Sequence, residues 1–139
     1  MLAAAPLLAL PVLLYNVLVL TMDGGLRTAD AARQLNAELF AVTMTSGARW
    51  SVNLSDLVLA GALAILFIEL LKSTASHKAA IVNHSLSMVL FVICLVEFLL
   101  LPGCATSTFF LLTMMVTLDV LAGFIVSISS ARRDVDFEH

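Results

Sequence analysis

The sequence predicts an all-α integral membrane fold: a four-transmembrane-helix antiparallel bundle with a short amphipathic interfacial helix between spans one and two. Three observations lead there. Of 139 residues, 61% are hydrophobic and only 12% charged, with a mean hydropathy of +1.07. An ordinary soluble domain carries about 25% charged residues, so long uncharged stretches must account for the difference. Four such stretches lie at about residues 2–22, 52–72, 79–101 and 106–128, and a spanning helix needs about 20 mostly apolar residues. The connections "STASHK" and "PGCATS" are short enough to make spans two, three and four antiparallel neighbours. Residues 1–139 read as a single membrane domain.

Span one has no Lys or Arg before its apolar core and no small-x-small site after it, which favours an uncleaved span over a signal peptide. Pro6 sits where a missing N–H costs little, and Pro11 predicts a kink that frees the carbonyl of Leu7. Residues 28–45 follow. Ala31, Ala32, Leu35, Leu39 and Val42 recur there at helical spacing, with Asp30, Arg33, Gln34 and Glu38 between them. Thr28 is a candidate N-cap and Ser46-Gly47 a stop. The expectation is a helix lying on the interface, with Trp50 as a headgroup-level anchor. Such a helix would cap the bundle mouth, or act as a lid or partner-docking surface.

Span two can be capped by Asn53 or Ser55, and its face of Ala60 and Ala64 reads as a helix-packing seam. Glu69 and Lys72 are three residues apart at its end and read as a solvated surface pair. On span three, Asn83, Ser87, Cys94 and Glu97 fall within about 80° of one another, a polar stripe that should turn away from lipid. His84 lies at its edge. Pro102-Gly103 stops this span, and Thr106 or Ser107 can cap the next. On span four, Asp119, Gly123 and Ser127 follow at i, i+4 and i+8, with small residues around the acid to let a neighbouring backbone approach. A solvated tail, 129–139, completes the chain.

Lys72, Lys78, Arg132 and Arg133 lie close to span ends on one side, with Arg132 and Arg133 as interface anchors. Their positions predict an inner (plasma) membrane protein with cytoplasmic N- and C-termini, although Arg27, Arg33 and Arg49 stand on the other side. Asp119 and Ser87 share a depth, about 12 Å from the same end of their spans. Asp119 should therefore point into the bundle towards Ser87, with Asn83 or His84 within reach through water. Glu97 lies about 6 Å from the opposite end. An intramembrane acid marks a functional-site candidate, and a protonated carboxyl stapling two helices is the competing account.

The chemistry otherwise present is sparse. His77, His84 and His139 are not at metal-ligand spacing, and HExxH, GxSxG, CxxC and a haem-type histidine pair are all missing from the sequence. No catalytic residues, metal or cofactor are therefore expected, and the chain does not read as an enzyme. A net charge of -3 without a basic patch argues against nucleic acid. Cys94 and Cys104 would be about 15 Å apart along a helix, too far for a disulfide. Asn53-Leu54-Ser55 and Asn83-His84-Ser85 match the glycosylation pattern only at the level of chance. Two functions stay open. One is an accessory or assembly subunit packed against a larger membrane complex, its partners the lipid bilayer and another membrane protein or a second copy. The other is a small oligomeric proton- or cation-coupled transporter or channel that uses Asp119.

Overall fold

A computed structural model describes residues 5–74 and 77–137. The chain runs α1 (Ala9–Thr21), α2 (Ala31–Leu35), β1 (Glu38–Thr43), β2 (Arg49–Asn53), α3 (Leu54–Ser73), α4 (His77–Leu100) and α5 (Ser107–Phe137), with 3-10 turns at Gly25–Arg27 and Pro102–Cys104. It is mostly helical, and α3, α4 and α5 are long and apolar enough to cross a membrane. His139 lies outside the described residues.

Helix α1 has 13 residues. That is about 20 Å, less than the roughly 30 Å of a hydrocarbon core. The prolines explain its late start. Pro11 has no N–H to give to Leu7, so Leu10 N–H bonds the Leu7 carbonyl at 3.0 Å instead, and Ala9 N–H bonds Pro6 at 3.1 Å. Residues 6–8 are thus a turn leading into the helix. One face of this segment, Leu8, Val12, Tyr15 and Val19, is buried at three- and four-residue spacing. It packs against α3 and α5, while α5 packs against both α3 and α4.

The interfacial helix expected over 28–45 is shorter than the periodicity implied. Only Ala31–Leu35 is helical, with Ala31 and Leu35 buried and Asp30 paired to Arg33 at 2.8 Å on the outside. Beyond it the chain forms an antiparallel hairpin in which Phe40 faces Val52 and Val42 faces Trp50. The residues explain the change. Leu39-Phe40-Ala41-Val42-Thr43 and Trp50-Ser51-Val52 are rich in β-branched and aromatic side chains. They flank a turn in which Gly47 adopts φ of +84° and donates to the Met44 carbonyl at 2.9 Å. Helical periodicity and strand composition overlapped here, and the turn glycine decides for the strand. Glu38 ties the two strands by accepting from Arg49 at 2.5 Å and Ser51 at 2.6 Å. The Ser51 hydroxyl and the Arg49 guanidinium hold its carboxyl below the usual carboxylate range.

The hairpin runs directly into α3. Asn53 Oδ1 accepts from Asp56 N–H at 2.9 Å, and Asp56 Oδ2 accepts from Asn53 N–H at 3.1 Å, a reciprocal cap. Ser55 is buried and bonds Thr108 on α5. The buried face of α3 is Ser55, Val58, Ala62, Leu66 and Glu69. Ala60 and Ala64, expected at a packing seam, lie on the exposed side of the helix. Polar partners at both ends set this rotation: Ser55 at the first turn and Glu69 near the last. At the other end of the chain, the solvated tail expected from residue 129 continues α5 as helix through Phe137. Nothing in "SSARRDVDF" breaks a helix, and Arg132 and Arg133 ride exposed on its surface.

Gly47→Val should open the hairpin while sparing the helices, because a β-branched residue is strained at positive φ. Hydrogen exchange should accelerate over residues 38–53 and stay unchanged over α3–α5. Equal exchange in the variant and the parent would contradict the turn geometry.

Candidate functional site

The polar side chains gather in two layers at opposite ends of the bundle. The larger layer centres on Glu69, which has no exposed surface. Its Oε1 accepts from Asn83 Nδ2 on α4 at 2.5 Å, and its Oε2 accepts from Leu7 N–H, ahead of α1, at 2.9 Å. Lys72 Nζ stands 3.6 Å from Oε2 and also donates to the Ala5 carbonyl at 2.7 Å. The sequence reading of Glu69 and Lys72 as a solvated surface pair is thereby corrected. The i, i+3 spacing is right, but Glu69 points inward, where its charge is met by Lys72 and its lone pairs by Asn83 and Leu7. Lys72 keeps its ammonium near the helix end while its stem lies along the bundle.

One turn along α4 from Asn83, Ser87 Oγ donates to Asp119 Oδ2 at 2.7 Å. Both residues are buried. His84 lies beside them. Its ring meets Phe124 edge-on, with centroids 4.7 Å apart, and sits directly over Gly123, where an added Cβ would overlap Nδ1. Gly123 is one turn from Asp119 on α5, so the missing side chain is what lets the imidazole lie next to the carboxylate. His84 Nδ1 is buried and has no hydrogen-bond partner. A cavity of about 20 Å³ opens between these groups, lined by Asn83, His84, Ser87, Asp119, Gly123 and Ser127 among others. That is room for about one water molecule.

Glu97 belongs to the second layer, at the opposite end. It accepts from Asn16 Nδ2 on α1 at 3.1 Å. Beside it, Tyr15 donates to the Gly103 carbonyl at 2.9 Å and shares a 2.6 Å bond with Thr106, whose oxygen also accepts from Phe109 N–H at 3.1 Å to cap α5. Cys104 faces Asn16, and both cysteines are buried thiols. The structure thus brings Asp119, Ser87, Asn83 and His84 together and leaves Glu97 apart from them. Trp50 is exposed on the hairpin. Both glycosylation patterns are structurally occupied: Asn53 caps α3 and Asn83 is buried against Glu69.

Sequence reasoning placed Asn16 on the packing seam of span one, where it meets Glu97, but missed the inward place of Glu69 and the part played by Tyr15. Glu69 carried a signal: by helical rotation it shares a face with Ala62 and Leu66, which are buried. Among the described residues no group of three or more His, Cys, Asp and Glu side chains is placed to hold a metal ion. Comparison with protein-family models, curated proteins and solved structures finds no match for this chain.

Two predictions follow from burial. Ser87→Leu should lower thermal stability in lipid or mild detergent more than Val89→Leu, because Ser87 is 1% exposed and Val89 is 55% exposed. Equal melting of the two would refute the assigned face. Glu69→Ala should cost about 3 kcal/mol, since it leaves a lysine, an amide and a backbone N–H without their shared acceptor. Glu69→Gln, which retains acceptor capacity, should cost less. The reverse order in reversible unfolding would remove Glu69 from its central place.

Proposed function

We propose that the chain is a non-catalytic four-span membrane protein acting as an accessory or assembly subunit packed against a larger membrane complex. In this reading α1 and the turn before it form the fourth, shortened span, and the apolar flanks of all four helices face lipid or the partner. The observation that carries it is the hairpin. Phe40, Val42 and Trp50 share one face and are each more than 40% exposed. A two-stranded hairpin is marginal in water by itself, so an apolar face held out from the bundle fits a surface completed by a neighbour. The membrane is an inner (plasma) membrane, with both termini cytoplasmic, on the strength of Lys72, Lys78, Arg132 and Arg133.

The test combines topology with contact. Cysteines placed at Ala37 and Asp134 should label from opposite sides, Asp134→Cys from the cytoplasm. A photo-crosslinker at Phe40 in native membranes should capture one other membrane protein, and Trp50→Ser should abolish the product. Capture of lipid alone would refute the subunit reading, and capture of a second copy would favour a homo-oligomer instead.

A specific observation supports a second reading, a small proton- or cation-coupled transporter or channel. Glu69, Asn83, Ser87 and Asp119 form a buried polar series across α3, α4 and α5. Intramembrane carboxylates are costly to bury, and by default they mark functional sites.

A further inference from the structure

We propose that Asp119 and His84 form a proton-binding centre in which one proton is held between the Asp119 carboxylate and His84 Nδ1 through a single water molecule. This deepens the transport reading of the same groups and rests on it for any role in coupling, but not for the binding itself.

Charge balance motivates the assignment. Among the described residues, the titratable groups that act on Asp119 are Glu69 and Lys72 from α3 and His84 from α4. Segment 5–8 and α1 bring only backbone groups to this layer, the Leu7 N–H and the Ala5 carbonyl. Glu69 is matched by Lys72. With Asp119 ionised and His84 neutral, the described residues of this layer therefore carry one unmatched negative charge in surroundings that solvate charge poorly. A single proton makes it neutral. The proton can reside as an O–H on Asp119 or as a second N–H on His84. In either case one bond to hydrogen forms, the proton comes from bulk water, and nothing is oxidised or reduced.

Geometry supplies the rest. Ser87 occupies Asp119 Oδ2. Among the described residues His84 Nδ1 is buried and has no hydrogen-bond partner. Asp119 and His84 both line the cavity of about 20 Å³. A water there can accept from a protonated group and donate to the other, and so give His84 Nδ1 the partner it lacks. The imidazole is held for this contact by the edge of Phe124 and by the space that Gly123 leaves. Asn83, bonded to Glu69, and Ser87, bonded to Asp119, lie one turn apart on α4, so the two carboxylate sites share one helix.

The test uses the full chain in liposomes and pH-dependent infrared difference spectra between about pH 5 and 9, a range that brackets perturbed carboxyl and imidazole groups. A protonated-carboxyl band should grow as pH falls, and Asp119→Asn should remove it. His84→Gln retains the carboxyl and should move the midpoint by about one pH unit or more, because coupled groups titrate as a pair. Exchanging choline for sodium at fixed pH should leave the band unchanged. The proposal is overturned by a band that survives Asp119→Asn, by a midpoint indifferent to His84→Gln, by displacement with sodium, or by no titration at all. Proton flux is measured separately with an internal pH dye. Titration without flux supports the centre and removes the transport reading; flux without titration does the opposite.

Discussion

The interaction on which the bundle depends is the burial of Glu69. Among packed apolar helices an unpartnered polar group has no water to turn to, and leaving one unpaired costs several kcal/mol. Glu69 therefore has to collect partners from other parts of the chain, and it takes them from three: Leu7 ahead of α1, Lys72 on its own helix, and Asn83 on α4. Apolar helix faces are interchangeable against lipid, because Leu against a tail and Leu against Leu differ little. A carboxylate with three directed partners is not interchangeable. It fixes the rotation of α3, which turns Ala60 and Ala64 outward, and it fixes where the chain before α1 must lie.

The opposite end is held by a different chemistry. There the directed contacts come from hydroxyls and an amide: Tyr15 to Gly103 and Thr106, Ser55 to Thr108, and Asn16 to the Glu97 carboxylate. Between the two polar layers the packing is apolar, with Val12, Ala62, Leu66, Phe109, Leu112 and Val116 buried from three helices. The clamps at both ends define the register of these side chains, since dispersion alone would tolerate a slide along the helix axis. Tyr15 contributes to both, its ring packed on Phe109 with centroids 4.9 Å apart and its hydroxyl on the turn after α4.

What was legible in the sequence follows from what each signal encodes. Apolar runs specify helices long enough to span, and α3 and α4 lie within a few residues of the expected stretches, while α5 starts where expected and runs on to Phe137. The inward stripe of α4 and the shared depth of Ser87 and Asp119 follow from rotation and rise alone, and the two are hydrogen-bonded. Partner choice across helices is not encoded in that way. Glu69 and Lys72 at i, i+3 look alike whether solvated or buried, and the difference is made by Leu7 and Asn83, 62 and 14 residues away in sequence. The hairpin was hidden for a related reason. Leu35, Leu39 and Val42 satisfy a helical period, while pairing of Val42 with Trp50 is a non-local fact.

The arrangement separates the charge that holds the structure from the charge that can change. Glu69 is neutralised by a lysine and bound by directed donors from two other segments, so altering its state would disturb α1, α3 and α4 together. Asp119 is different. Its one direct partner among the described residues is Ser87, a neutral hydroxyl that can donate to a carboxylate or accept from a carboxylic acid by rotating about its own bond. Its other neighbours are a small cavity and an imidazole with an unused nitrogen. A proton can therefore arrive at Asp119 while the Glu69 layer stays intact, and the adjustment is confined to the seam between α4 and α5. That seam is also where Gly123 replaces a side chain with His84, so packing there depends on the position of the ring. Helix α5 continues beyond it to Phe137, carrying Arg132 and Arg133. A change of charge at Asp119 thus acts near the middle of α5, the longest helix among the described residues.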